Sequence, residues 1–97
     1  MIASFRPAAR QELLDAIAWY LAEAGPAIAA DFDSAVRRAL QLLVYLPRQG
    51  TPGYRAVRLW PIKGFPYTLI YRVTGDELMV LAVAHQSRAA SYWRGRE

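Results

Sequence analysis

The chain holds one histidine, one lysine and no cysteine, so any chemistry it performs must come from a short roster of residues. His85 is followed closely by Arg88 and Tyr92, and Arg58, Lys63 and Arg72 precede it in the same half of the chain. These residue types suit metal-free phosphodiester cleavage. Arginines stabilise the charge of a phosphorane-like transition state, while a histidine or tyrosine moves protons. Arg58, Lys63, His85, Arg88 and Tyr92 form the candidate catalytic set, on the condition that the fold makes them converge. Plainer uses fit the same residues. His85 also suits a strand end, hydrogen-bonded to backbone or to a tail side chain, and Arg88, Arg94 and Arg96 also suit a solvated tail.

Other chemistries lack their parts. With a single histidine, no cysteine and acids spread mostly over the solvent faces of helices, three converging metal ligands are not expected. The glycines form no phosphate-binding fingerprint, and Ser4, Ser34, Ser87 and Ser91 stand in no nucleophile-like context. No metal or other cofactor is expected.

Charge points instead to a large anionic partner. Residues 1–46 carry four arginines against five carboxylates, net −1, whereas residues 47–97 carry eight cations against three carboxylates, net +5. That asymmetry fits either nucleic acid or an acidic protein segment facing the second half. The N-terminus has no signal-peptide core, and no apolar run approaches the ~20 residues of a membrane span. A soluble, cytoplasmic protein without a membrane partner is the expectation.

At 97 residues, 55% of them hydrophobic and 21% charged, the chain can build one core, and a single domain over 1–97 is expected. The element that must position His85 is a hairpin. Residues 65–73 and 78–85 are two β-rich runs around Thr74-Gly75-Asp76-Glu77, a turn sequence. Tyr67, Leu69, Tyr71 and Val73 should share one face, opposite Thr68, Ile70 and Arg72. His85 should fall on the face of Met79, Leu81 and Val83. A preceding strand over 56–60 should aim Val57 and Leu59 at the helices and Arg58 and Trp60 away.

Residues 2–5 suit an edge strand. Pro7 opens a helix over 8–24 whose apolar stripe is Leu13, Leu14, Ile17, Tyr20 and Leu21, with Glu12, Asp15 and Glu23 opposite. Trp19 falls among the acids, where it serves either as a local cover or as a contact for a partner. Gly25-Pro26 stops this helix and starts a second over 27–46, antiparallel to the first, with Ile28, Phe32, Ala35, Val36, Ala39, Leu43 and Leu46 inward and an Asp33–Arg37 pair outward. Residues 47–53 read as a loop, and 87–97 as a turn or short helical tail across the sheet end. The sum is an α+β fold: an N-terminal strand and an antiparallel helix pair on a small, mainly antiparallel sheet.

Phe5-Arg6-Pro7-Ala8-Ala9, the 47–50 loop, Val57-Arg58, Phe65-Pro66-Tyr67, Tyr71-Arg72-Val73, and Val80-Leu81-Ala82-Val83-Ala84-His85 with Arg88, Tyr92-Trp93 and Arg96 resemble the ParE/RelE superfamily of toxins from type II toxin-antitoxin systems. The resemblance runs in order along nearly the whole chain. It implies a growth-inhibiting toxin held by a cognate antitoxin, which brings an acidic C-terminal segment and a ribbon-helix-helix DNA-binding domain. ParE-like members poison DNA gyrase; RelE-like members are endoribonucleases that cut mRNA on the ribosome. Gln86 and Ser87 stand where the RelE-like tail would be more basic, so the resemblance is closer to the ParE-like branch. Trp19, Arg58, Arg72, Arg88, Tyr92, Trp93, Arg94 and Arg96 are the candidate contacts for target or antitoxin.

Overall fold

The computed structural model describes residues 1–96; Glu97, the last residue of the expected tail, lies outside them. Strand β1 (Ile2–Phe5) leads into helices α1 (Pro7–Ala24) and α2 (Pro26–Tyr45), followed by β2 (Thr51–Pro52), a 3-10 turn (Tyr54–Ala56), β3 (Val57–Pro61), β4 (Tyr67–Thr74) and β5 (Glu77–His85). The sheet order is β1-β5-β4-β3-β2, with β1 parallel to β5 and every other pair antiparallel. This is the α+β architecture expected from the sequence, with two additions: the segment expected to be loop contributes the two-residue edge strand β2, and a 3-10 turn takes Ala56 from the start of the strand expected over 56–60.

Both helices begin at a proline, where the absent N–H is no loss, and Gly25 alone links them. Gly25 has φ 92° and ψ 170°, a backbone state that a side chain would strain. The inward faces of the helices bury Ala9, Ala16, Tyr20, Phe32, Val36, Ala39 and Leu43 against Leu69, Tyr71, Leu78, Val80 and Val83 of the sheet. Each large side chain fully buried here contributes roughly 1.5–3 kcal/mol. The expected helix stripes are only partly inward. Leu14 and Leu21 of α1 stay about half exposed, as do Ile28 and Leu46 at the ends of α2 to a lesser degree. Glu12, expected in water, lies part-buried between α1 and the sheet.

The far sheet face is covered too. Val57, Ile70, Leu81, Ala82 and Ala84 form a second cluster, closed by Trp93 of the tail, which is 3% exposed. The tail is a series of turns lying over this face rather than across the sheet end. This explains why the phase expected for β3 is reversed. Val57 and Leu59 join the second cluster, while Trp60 packs on the helix side with Arg58 as its same-face neighbour. With apolar demand on both faces, a strand's own pattern does not decide its phase.

The face expected for His85 is corrected by a bulge. Ile70 pairs with Ala82 and Tyr71 with Val80, so Leu81 is an extra residue without a cross-strand partner. Met79 and Leu81 therefore pack in the second cluster, whereas Val83 faces the helices, and His85 pairs with Tyr67 on that same face.

Candidate functional site

The C-terminal end of β5 outruns β1. The last β1 residue, Phe5, pairs with Val80, and the Arg6 N–H then donates to the Val80 carbonyl before the chain leaves to form α1. From Leu81 onward the β5 edge has lost this neighbour, and its polar groups need other partners. Two side chains supply them. The Val83 N–H donates to Glu12 Oε1 at 3.0 Å, and Arg96 Nη1 donates to the Leu81 carbonyl at 3.2 Å. Arg96 also grips the Glu12 carboxylate with both terminal nitrogens, at 2.8 and 3.3 Å. One ion pair thus closes the open edge and ties the tail to α1.

Above it lies a shallow cleft of about 270 Å³ lined by Asp15, Trp19, Tyr67, His85, Arg88 and Tyr92. Its floor is set by packing. Tyr20, Phe32, Phe65 and Tyr67 form an aromatic cluster with ring centroids 5.1–5.4 Å apart along its closest pairs. Tyr67 then meets the His85 ring edge-on at 5.1 Å. The Ser87 N–H donates to His85 Nδ1 at 3.0 Å, which places the proton of the neutral imidazole on Nε2. The Ser87 hydroxyl lies 2.8 Å from the same nitrogen. Opposite, the Tyr92 ring sits beneath two guanidiniums, Arg88 at 4.0 Å and Arg96 at 5.0 Å. The buried Tyr92 hydroxyl has no well-formed hydrogen bond and stands beside Glu12. Burial first, and then the neighbouring Glu12 carboxylate, push its pKa up to about 12, against the smaller opposing pull of Arg96 and Arg88.

The residues singled out in the sequence divide sharply. Trp19, His85, Arg88 and Tyr92 meet at the cleft, and Trp19 is 58% exposed there, its ring edge-on to Tyr20 at 5.2 Å. Arg96 lies beneath them in the Glu12 pair. Arg58 is elsewhere: two strands and about four residues along the sheet from His85, a separation of roughly 16 Å. Its Nη1 is spent on the carbonyls of Arg48 and Gly50, at 3.1 and 2.8 Å. Lys63 lies against α2, lining a separate hollow with Arg38 and Leu42. Arg72 projects from the far sheet face beside Val57, and Arg94 lies over Tyr54. Trp93, expected as a contact, is a packing residue whose indole N–H donates to the Ala90 carbonyl at 3.0 Å. Among the described residues no three histidine, cysteine or acidic side chains gather as metal ligands.

Sequence reasoning missed Glu12. Helical periodicity puts it with the acids, and the signal that would have moved it inward, an open strand-edge N–H 71 residues away, is not local. It also missed the groove between the helices. Phe5, Leu13, Leu14, Ile17, Val36 and Leu40 line an apolar trough of about 510 Å³.

Comparison with known proteins gives two matches of interest. The family model described as the ParE toxin of the type II toxin-antitoxin system parDE matches residues 3–90. A solved structure of the chromosomal ParDE toxin-antitoxin system from P. aeruginosa superposes with a TM-score of 0.76 at 20% identity, covering 88% of this chain and 95% of that one, a likeness of fold. No curated protein sequence matches.

Proposed function

Because the chain belongs to the ParE toxin family of type II toxin-antitoxin systems, with an antitoxin as its partner, we propose that it arrests growth by poisoning DNA gyrase in the cytoplasm. The observation that supports this over RNA cleavage is the scatter of the candidate catalytic set. Of Arg58, Lys63, His85, Arg88 and Tyr92, only the last three share the cleft, and Arg58 is committed to holding a loop. A Tyr92 phenol pushed up to about 12 is also a poor proton carrier near neutral pH. What remains at the cleft is an exposed tryptophan, an arginine and a histidine on a rigid aromatic base, a composition suited to protein contact.

The antitoxin is read as a chain whose amphipathic, acidic C-terminal segment lays its apolar face in the trough between α1 and α2, with Arg10 at the margin for a carboxylate. A ribbon-helix-helix DNA-binding domain would complete it.

The alternative is a RelE-like, ribosome-dependent mRNA endoribonuclease, supported by the grouping of His85, Arg88 and Tyr92. One pair of assays separates the two. Purified toxin is expected to block gyrase supercoiling and accumulate cleaved plasmid, while leaving mRNA on programmed ribosomes intact. Intact supercoiling together with mRNA cleavage that is lost in His85→Ala or Arg88→Ala would reverse the assignment.

A further inference from the structure

The basic surplus of the second half is not concentrated at the cleft. Arg58 and Arg96 are consumed by internal contacts, and Arg88 is the cation of the cleft rim. On the opposite side of the sheet, Arg94 lies 4.0 Å over the ring of Tyr54, and Arg55 lies 5.2 Å from the same ring. Tyr54 is itself braced edge-on by the buried Trp93 at 6.4 Å. Arg72 stands on this face as the cross-strand neighbour of Val57, just beyond the Tyr54–Ala56 turn. Arg55 and Arg94 are exposed, and among the described residues none of the three arginines has a carboxylate within 4 Å.

The backbone beneath is unusual. Arg55 and Ala56 both have positive φ, 50° and 62°, which side-chain-bearing residues adopt only under strain. Neither side chain is buried, so packing does not account for this path. Its effect is to set a second guanidinium beside the ring that already carries Arg94, and strain kept at an exposed position is a pointer to function.

We propose that this face, through Arg55, Arg72 and Arg94, binds the phosphate backbone of duplex DNA without regard to sequence. Arg72 on β4, with Arg55 and Arg94 flanking the Tyr54 ring beside it and no acid paired to any of them among the described residues, presents with them forks suited to phosphate oxygens. The Tyr54 ring is already covered by a guanidinium, so the face offers charge rather than a base-stacking platform. Charge alone gains most from the densest array of phosphates, which is the duplex. An acidic protein segment is the weaker fit, because the apolar trough that would anchor it lies between the helices, on the other side of the sheet. The proposal goes beyond the toxin assignment, which needs no nucleic-acid contact, and its test involves neither gyrase nor ribosome.

The test is fluorescence anisotropy of the purified full-length toxin with a labelled 24-base-pair duplex over a KCl series from 50 to 200 mM. Saturable binding is expected, with a log–log salt slope of about −2 to −3 for three phosphate contacts. Arg55→Glu and Arg94→Glu should each weaken binding about tenfold or more and flatten the slope by about 1. Arg38→Glu, the same charge change on the exposed side of α2, should stay within about twofold of wild type. Arg94→Gln, checked by circular dichroism, provides a milder variant should a reversal disturb folding, and should also flatten the slope. No saturable binding at 50 mM, equal weakening by Arg38→Glu, or tighter binding of single-stranded RNA of equal phosphate number would overturn the proposal. So would Arg94→Glu abolishing capture of a glutamate-rich peptide while leaving duplex binding unchanged.

Discussion

Arg96 grips Glu12 at 2.8 Å across 84 residues of sequence, and the same carboxylate accepts the Val83 N–H on the β5 edge that the end of β1 leaves without a strand partner. The two side chains are 22% and 17% exposed, so the pair is mostly desolvated and its loss strands real polar groups. Glu12→Ala removes the acceptor of both Val83 and Arg96 and should lower the unfolding free energy by about 2–3 kcal/mol. Arg96→Met leaves Glu12 its backbone donor and should cost less, about 1–2 kcal/mol. Urea denaturation of both single variants and the double variant should give a coupling energy on the order of 1 kcal/mol; strict additivity would mean that the contact does not operate in solution.

A second anchor is Tyr71, whose hydroxyl donates to the Pro47 carbonyl at 2.7 Å and accepts from the Gly50 N–H at 3.0 Å. It pins the chain between α2 and β2 to the sheet, and Arg58 pins it again. Tyr71→Phe should cost about 1–2 kcal/mol, measured as a fall in Tm. Gly50→Ala should cost more, because an added Cβ would run into the Tyr71 hydroxyl and ring. Near-equal Tm values for Gly50→Ala and wild type would show that the loop is not held this way.

The pH dependence of stability should carry the mark of Tyr92. Its phenol titrates near 12 when folded and near 10 when unfolded, so the unfolded chain loses its proton first as pH rises. The contribution is complete below about pH 10 and is lost progressively as pH rises toward 12. Tyr92→Phe should flatten the stability profile across that window relative to wild type, and should leave the slope below pH 9 unchanged. The difference between the 295 nm absorbance titrations of wild type and Tyr92→Phe, which removes one of the six tyrosines, gives an independent reading of the same group.

Antitoxin seating and target contact should be separable by mutation. Leu14 is 49% exposed at the trough, so Leu14→Asp should leave the fold intact and weaken antitoxin binding at least tenfold by calorimetry, with growth inhibition retained. Trp19→Ala at the cleft should reduce growth inhibition, with folding checked by circular dichroism. If Leu14→Asp binds antitoxin at wild-type affinity, the trough is not its seat.

Much of the fold was legible along the chain because its cues are short-range. Pro7, Gly25-Pro26, the turn at Gly75 and the β-rich runs around it place every element except β2 and the 3-10 turn. The quoted motifs carried the resemblance to the ParE-like family, and the family match agrees. Local pattern also gave the Asp33–Arg37 pair, found at 2.9 Å.

What the sequence by itself could not determine was which way side chains face once both sides of the sheet are covered. A single unpaired residue, Leu81, shifts β5 by one step, carries Val83 and His85 to the helix side and sends Met79 and Leu81 to the other. Trp93, from a tail without apolar period, closes the far face and so settles the phase of β3. Glu12 becomes part of the site only because β5 outruns β1 and needs an acceptor there. Periodicity reports a residue's neighbours three or four places away; the demand for a hydrogen-bond partner arises between segments some 70 residues apart, and only the tertiary structure brings them together.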